Sequence, residues 1–225
     1  RKARVEGCRR LVLSLFVNPT QFAPGEDFGR YPRALEEDLA LCGPLVDLVF
    51  VPSVEVMYPG EQETWVEPGP AAAGLCGPFR PGHFRGVLTV VAKLFHMVDP
   101  DLAFFGAKDW QQAVLVQQMV RDLAFPVRIR VCPTVREADG LAMSSRNRYL
   151  SQADRQKALC LIRGLRAAER LVAEGERSAA ALRTVIAGEV AQVPEAKVDY
   201  IEIVDPASLA PLARLGGPAL AALAV

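Results

Sequence analysis

The chain changes abruptly from an apolar run to a polar helix start at residues 104–112, Phe-Phe-Gly-Ala-Lys-Asp-Trp-Gln-Gln. Residues 102–105 are apolar on both faces of a pleat, which is typical of a strand in a parallel sheet, and residues 113–116 continue as an apolar helix. Polar groups at such a turn lie at the carboxyl end of a strand, where open α/β sheets bind ligands, and a helix N-terminus favours anions. The pattern predicts a phosphate-binding turn at Gly106. The alternative is an ordinary connection with solvated charges.

The order of strand and helix recurs earlier in the chain. An apolar strand is predicted at residues 11–17, a helix at residues 34–41, and a second buried strand at residues 46–52. Apolar strands that alternate with helices indicate βαβ units and a parallel sheet. The sequence therefore predicts an α/β fold.

A change of composition near Pro133 predicts a domain boundary, with domains at residues 1–133 and 134–225. The second, smaller domain is predicted to be α+β. It has helices at residues 152–174 and 178–193, and a half-exposed strand at residues 197–204 that alternates between apolar and polar positions.

The charge balance limits the classes of partner. The 225 residues include 26 Lys and Arg and 26 Asp and Glu, so no overall charge indicates a nucleic-acid or membrane partner, and any anion site must be local. The five cysteines are scattered, odd in number and without a C-x-x-C pair, which favours reduced thiols in the cytoplasm over a disulfide framework or a zinc site.

Two amides and a hydroxyl follow the first predicted strand, in Asn18-Pro19-Thr20-Gln21. Side-chain amides can donate to a carboxylate and accept from a hydroxyl, so this segment is a candidate ligand site, with a simple polar turn as the alternative. Residues 77–86 are rich in glycine and proline and hold Arg80, His83 and Arg85, as a loop that wraps a ligand would. His96 lies in an apolar pattern and is predicted to be buried.

Two further polar segments allow two interpretations each. Asp38 follows two glutamates on a predicted helix, which is typical of a solvated face but leaves a metal contact possible. Residues 133–148 combine two adjacent serines with three arginines, which suit oxygen anions and predict a mobile anion-binding loop. A solvated linker is the alternative there.

Four separated segments, in the order in which they occur, resemble the pantothenate synthetase family: residues 18–22 (Asn-Pro-Thr-Gln-Phe), 80–87 (Arg-Pro-Gly-His-Phe-Arg-Gly-Val), 105–112 (Phe-Gly-Ala-Lys-Asp-Trp-Gln-Gln) and 139–147 (Asp-Gly-Leu-Ala-Met-Ser-Ser-Arg-Asn). The resemblance covers nearly the whole chain and is weak after about residue 155. It implies a Rossmann-like nucleotidyltransferase domain with a smaller C-terminal lid domain, in a cytoplasmic homodimer. It also implies the joining of pantoate to β-alanine with ATP and Mg²⁺, a step toward coenzyme A.

The resemblance also implies roles for individual residues. The implied pantoate contacts are Gln21 and Gln112, with Asn18 and Tyr31 nearby. The implied ATP contacts are Gly106, Ala107, Lys108, Asp109, Val135, Met143, Ser144, Ser145 and Arg146, in which Lys108 meets phosphate, Asp109 the ribose and Val135 the adenine. Lys108, Ser144, Ser145, Arg146 and His83 form the implied catalytic set, and Asp38 is the implied Mg²⁺ contact.

The sequence departs from the family pattern at its start. A Pro-Thr-Met-Gly turn followed by two histidines, spaced like the superfamily's HIGH motif, is expected before the strand at Leu11 and does not occur. The chain also ends before the strand expected to close the family fold. We interpret the sequence as a shortened version of a natural enzyme, and expect the chain as written to show little pantoate-dependent ATP–pyrophosphate exchange.

Two other functions remain open on sequence alone. One is another adenylyltransferase of the HIGH-type superfamily, although Gln21 and Gln112 are not expected there. The other is a non-catalytic, nucleotide-binding dimer. Pantoate-dependent AMP formation distinguishes the ligase from ATP binding without turnover.

Overall fold

The computed structural model describes residues 1–225 and divides into two compact units. The first unit consists of residues 1–68 and 80–133, and the second of residues 69–79 and 134–225. No disulfide links the five cysteines. None of the helices combines the length and the apolar character that crossing a bilayer requires.

The first unit contains, in order, α1 (Lys2–Val5), β1 (Val12–Ser14), α2 (Leu35–Cys42), β2 (Leu48–Phe50), α3 (Val54–Met57), α4 (His83–Val98), β3 (Leu102–Gly106), α5 (Trp110–Asp122) and β4 (Arg128–Cys132). β1 pairs in parallel with β2, and β3 pairs in parallel with β4. Each parallel pair is joined by a connection that contains a helix, as parallel pairing requires. The predicted parallel arrangement is confirmed, although the strands at β1 and β2 are shorter than predicted.

A cleft of about 1330 Å³ is lined by residues of both β1 and β3, together with α1 and the end of α4. Because β3 borders this cleft, residues 102–105 are only partly buried, and the prediction of a fully buried strand is wrong. The same prediction is wrong for β2, where the side chain of Leu48 is 55% exposed and borders a smaller hollow.

Helix α4 provides much of the apolar core of the first unit. Its buried residues include Phe84, Val87, Leu88 and Val91, and it packs against α5. The helix begins at His83, inside the segment 77–86 that was predicted to be a loop. His96 near its end is exposed, with its ring 5.2 Å from that of Phe125, so the predicted burial of His96 is wrong.

Gly86 lies in the first turns of α4, where the helix backbone passes very close to the segment after β1. A Cβ atom at Gly86 would lie 2.3 Å from the carbonyl oxygen of Thr20 and 2.8 Å from the amide nitrogen of Gln21. Only a glycine lets the helix backbone approach the segment after β1 so closely. The approach fixes residues 18–21 against α4.

The second unit contains α6 (Gln152–Ala158), α7 (Cys160–Ala173), α8 (Ala179–Val190), β5 (Tyr200–Val204) and β6 (Leu220–Ala224). The core joins α7 and α8 to β5 through Ala168, Leu182, Ile186 and Ile203. Ser151 and Ser178 cap α6 and α8, each accepting a hydrogen bond from a backbone N–H in the first turn.

Two predictions for the second unit are wrong. The single helix predicted at residues 152–174 is divided at Leu159 into α6 and α7. The last residues, for which no strand was predicted, form β6 and pair with β5 in antiparallel register, Tyr200 opposite Ala224. The run Leu-Ala-Ala-Leu-Ala has little β-propensity, so its strand conformation depends on pairing with β5.

Candidate functional site

Residues 18–21 turn the chain sharply after β1, and we call them the amide segment. Asn18 caps a short 3₁₀ helix, Pro19–Gln21, and is only 3% exposed. Its Nδ2 donates to Oε1 of Gln21 at 3.1 Å and to the carbonyl oxygen of Gly86 at 3.2 Å. Its Oδ1 accepts from the hydroxyls of Thr20 at 2.9 Å and Tyr58 at 2.7 Å. Every polar atom of the buried Asn18 side chain is therefore satisfied within the protein.

An ion pair and a histidine hold the backbone of the same segment. Arg80 pairs with Glu26 through two hydrogen bonds, of 3.0 and 2.7 Å, and also donates to Nε2 of His83 at 3.1 Å. Since that nitrogen accepts from a guanidinium, the other ring nitrogen, Nδ1, carries the proton and donates to the carbonyl oxygen of Gln21 at 2.9 Å. Both ring nitrogens are occupied by protein groups.

The charge states in this cluster follow from the contacts. Burial lowers the pKa of His83, so the ring is neutral at pH 7. The hydrogen bond from Arg80 lowers the pKa of Glu26, which stays ionised. A neutral His83 with both nitrogens engaged acts as a holding group for Gln21.

The end of β3 carries the polar turn predicted from the sequence. Gly106 ends the strand, residues 107–109 form one 3₁₀ turn, and α5 begins at Trp110. The ammonium group of Lys108 lies 3.4 Å from the carboxylate of Asp109, and their side chains are 42% and 63% exposed. Gln112 is partly buried in the first turn of α5.

Helix α4 connects the segments that follow β1 and β3. It packs against the 3₁₀ helix of the amide segment and also against α5, which begins directly after the turn at residues 107–109. His83 at the start of α4 holds Gln21, so α4 relates the amide segment to the helix that carries Gln112. The carboxyl ends of parallel strands are where open α/β folds bind ligands.

Residues 135–143 form a hairpin in the second unit, where a mobile loop was predicted. Arg136 bridges to Ala142, and the amide of Met143 donates to the carbonyl oxygen of Val135 at 2.9 Å. Gly140 allows the turn with a φ of +97°. Where a loop was predicted, the chain forms a short hairpin stabilised by ion pairs.

These ion pairs centre on Arg155 of α6. Its guanidinium donates to Glu137 at 2.6 Å and to Asp139 at 2.9 Å, and Asn147 donates to Glu137 at 2.8 Å. The hydrogen bond from Arg155 lowers the pKa of Glu137, and the bond from the amide of Leu141 lowers that of Asp139. Both carboxylates are therefore ionised at pH 7.

The second half of the predicted nucleotide set follows this hairpin. The side chains of Val135 and Met143 are 65% and 54% exposed and are neighbours across the hairpin. The hydroxyl of Ser144 caps the 3₁₀ helix Ser145–Tyr149 by accepting from the amide of Arg146 at 3.2 Å. An exposed apolar pair beside serine and arginine groups has the chemistry to contact a base and phosphate oxygens.

Tyr31 and Asp38 lie farther along the first unit. The ring of Tyr31 packs edge to face on Phe22, 5.8 Å away. Asp38 lies in the first turn of α2, and no group of three or more His, Cys, Asp or Glu side chains is arranged to hold a metal ion. A protein-only metal site therefore does not fit. A single carboxylate fits the way in which Mg²⁺ is usually held beside substrate phosphates.

Sequence reasoning missed Glu26 and Tyr58 as parts of this site, and it missed how Arg80 and Gly86 contribute. Tyr58 and Arg80 reach the amide segment from about 40 and 60 residues away, which no local pattern shows. The glycine at position 86 was visible only as a loop signal. The large cleft beside β1 and β3 contains none of the predicted site residues.

Comparisons with known proteins agree on one family. The family model described as pantoate-beta-alanine ligase matches residues 1–225. Pantothenate synthetase from Moorella thermoacetica is 53% identical over 216 residues, covering 96% of this chain and 76% of the relative. Pantothenate synthetase from Acidobacterium capsulatum is 54% identical over 225 residues, covering 100% of this chain and 75% of the relative.

Solved structures give the same result. The crystal structure of pantothenate synthetase from Thermus thermophilus matches with a TM-score of 0.95 and 48% identity, covering 99% of this chain and 80% of that chain. The pantoate-beta-alanine ligase from Francisella tularensis, crystallised in complex with beta-gamma ATP and β-alanine, matches with a TM-score of 0.71 and 35% identity, covering 89% of this chain and 73% of that chain. These matches confirm the predicted nucleotidyltransferase fold class.

Proposed function

The chain belongs to the pantoate-beta-alanine ligase family, a family of ATP-using ligases, and we propose that it joins pantoate to β-alanine through a pantoyl adenylate. The observation that carries this proposal is the way in which Gln21 is held: its Oε1 accepts from Asn18 and its carbonyl oxygen accepts from His83, which leaves Nε2 to donate to an acid substrate. This donor follows β1, at the carboxyl end of a strand, where open α/β folds bind ligands.

The reaction has two steps. An oxygen of the pantoate carboxylate attacks the α-phosphorus of ATP, and the bond to pyrophosphate breaks. The β-alanine amine then attacks the acyl carbon of the adenylate, AMP leaves, and the amine loses a proton as the amide forms. The first step depends mainly on alignment and on neutralising negative charge, so residues that hold and orient the substrates contribute most.

We propose that Gln21 and Gln112 hold pantoate, with Asn18 fixing Gln21 and Tyr31 nearby. The Nε2 atom of Gln21 has no hydrogen bond within the protein, so it can donate to a carboxylate or hydroxyl oxygen. His83 is proposed to hold the carbonyl group of Gln21. Its ring is neutral and both ring nitrogens are hydrogen-bonded within the protein, so neither nitrogen is free for proton transfer.

ATP is proposed to contact the turn after β3 and the segment after the hairpin. Gly106 and Ala107 present backbone to the nucleotide, Lys108 contacts phosphate and Asp109 the ribose. In the second unit, Val135 and Met143 contact the adenine, while Ser144, Ser145 and Arg146 donate to phosphate oxygens. Ion pairing with Asp109 keeps Lys108 near the turn before ATP arrives.

Mg²⁺ is proposed to be held by Asp38 together with phosphate oxygens. The carboxylate of Asp38 is partly exposed and makes no ion pair within the protein, so it is available to a cation. The ion, when bound, neutralises phosphate charge. A homodimer in the cytoplasm is also proposed from the family resemblance, and sedimentation analysis of the purified protein measures its oligomeric state.

The test measures AMP and pantothenate formed from ATP, pantoate and β-alanine by the gene product that contains this chain. We expect AMP to require pantoate and pantothenate to require all three substrates. ATP binding with no pantoate-dependent AMP would contradict the proposal and favour a non-catalytic nucleotide-binding protein. AMP transfer to an acceptor other than pantoate would favour another adenylyltransferase.

A matched pair of lysines tests the nucleotide contact. Lys108 and Lys157 are both 42% exposed and both ion-paired, but Lys157 lies on α6 outside the proposed site. We expect Lys108→Ala to weaken ATP binding at least tenfold by calorimetry, and Lys157→Ala to leave it unchanged. Equal effects would remove Lys108 from the proposed site.

A further inference from the structure

The carboxamide of Gln21 has one end bound and the other end free. Oε1 accepts from Nδ2 of Asn18 at 3.1 Å, while Nε2 makes no hydrogen bond within the protein. An amide in this orientation offers donors to a ligand and no acceptor. It would bind carboxylate or hydroxyl oxygens, and the reversed amide would offer its oxygen instead.

The orientation of Asn18 is set by two backbone groups whose polarity is fixed. Its Nδ2 faces the carbonyl oxygen of Gly86, which can only accept, and its Oδ1 faces the amide of Thr20, which can only donate. Asn18 cannot reverse without losing both contacts. Because Asn18 presents Nδ2 to Gln21, the orientation of the Gln21 carboxamide follows.

Tyr58 makes the shortest contact to Asn18, from its hydroxyl to Oδ1 at 2.7 Å. The Tyr58 hydroxyl is the donor, because the amide oxygen Oδ1 can only accept, and burial raises the pKa of this hydroxyl. Lys93 holds this tyrosine in place. Its ammonium lies 4.4 Å from the centre of the ring, and it donates to the carbonyl oxygen of Met57 at 2.6 Å and to Gln62 at 2.7 Å.

We propose that Tyr58 is a positioning residue that acts through Asn18 to hold the NH₂ group of Gln21 toward the oxygens of pantoate. The proposal rests on the proposed function, because it assigns pantoate to Gln21. Tyr58 itself does not touch the substrate. Its hydrogen bond strengthens the hold on Asn18 in the orientation that the backbone of Gly86 and Thr20 sets, and so favours a ligand that presents acceptor oxygens to Gln21.

The test is a double-mutant cycle on pantoate affinity, measured by calorimetry with (R)-pantoate on the whole chain. Tyr58→Phe removes only the hydroxyl and keeps the ring under Lys93. We expect it to weaken pantoate binding about five- to tenfold, the effect of one hydrogen bond, and to leave ATP affinity unchanged. In a Gln21→Ala background the same substitution should have no further effect.

Two other variants complete the design. Tyr200→Phe removes a phenol hydroxyl from β5 in the second unit and should leave pantoate affinity unchanged. Asn18→Asp replaces the donor that faces Gln21 by an acceptor, so the Gln21 amide should reverse. Pantoate affinity should then fall by more than it does in Tyr58→Phe.

The outcomes separate this inference from the proposed function. If pantoate binds and Gln21→Ala weakens it but Tyr58→Phe does not, the role of Tyr58 is refuted and the proposed function stands. An equal loss from Tyr58→Phe with or without Gln21 would also refute it, because Tyr58 would then act by another route. A chain that binds ATP but never pantoate would refute both.

Discussion

The amide segment and the hairpin at residues 135–143 are both polar and both belong to the proposed site, but different forces hold them. The amide segment is fixed by hydrogen bonds to Asn18, whose side chain is 3% exposed. The hairpin is fixed by ion pairs to Arg155, in which the side chains of Arg155 and Glu137 are 29% and 32% exposed.

The difference has physical consequences. Buried amide contacts are directional and are not screened by salt, so they define one orientation. Ion pairs reached by solvent are weaker and decrease with ionic strength. We infer that the amide segment is more rigid than the hairpin. The following predictions test this contrast.

The largest effect is expected at Gly86, where the amide segment touches α4. Gly86→Ala would place a Cβ atom 2.3 Å from the carbonyl oxygen of Thr20, so backbone must move. We expect the free energy of unfolding to fall by about 3 kcal/mol or more, measured by urea denaturation. Gly188→Ala in α8 is the control, since it has open space and should stabilise the protein by about 0.5–1 kcal/mol. A neutral Gly86→Ala would show that the amide segment is not rigid.

A smaller effect is expected at the equivalent close contact in the second unit. A Cβ atom at Gly164 would lie 3.2–3.3 Å from Ile186, where side chains and helices can move by a few tenths of an ångström. Gly164→Ala should lower the free energy of unfolding by about 1–2 kcal/mol in the same assay. A loss as large as that of Gly86→Ala would show that the contact between α7 and α8 yields no more easily than the contact between α4 and the amide segment.

Acid should weaken the hold on Gln21. The pKa of Glu26 is lower in the folded protein, so its ion pair with Arg80 contributes stability above the unfolded pKa of about 4.5, and this contribution is lost as pH falls through the folded pKa. Burial also lowers the pKa of His83 in the folded protein. The unfolded chain therefore binds a proton at this residue more readily, and the stability of the protein falls as the pH drops below about 6.5.

Glu26→Gln should therefore destabilise the protein by about 1 kcal/mol at pH 7, and the difference from wild type should shrink as the pH falls below about 4.5. Denaturation between pH 3 and pH 8 measures both curves. A difference that stays constant over this range would show that the charge of Glu26 does not contribute.

The smallest and most salt-dependent effect is expected at Arg155. Arg155→Met keeps the aliphatic stem but removes the donors to Glu137 and Asp139, so the hairpin should exchange amide protons faster at low salt. Adding about 1 M NaCl should raise the exchange rate of the wild-type hairpin close to that of the variant. Exchange in the amide segment should not change with salt. A salt response there would show that the two segments are not held by different forces.

The sequence predicted the features that depend on neighbours along the chain. Alternating apolar strands and helices predicted the parallel pairs, and the helices predicted from residues 152 and 178 begin within one residue of α6 and α8. Local patterns failed where distant groups decide the structure. Gly86 suggested a loop, but its contact with Thr20 places it inside α4. The hairpin was predicted only as a loop because Arg155, which holds it, lies beyond it in the chain.

The candidate site follows the same rule. The chemical types of Gln21 and Lys108 were readable from sequence, because amides and lysines at strand ends are local features. The orientation of the Gln21 amide was not readable, since it depends on Gly86 and Tyr58, whose positions relative to Asn18 are known only in three dimensions.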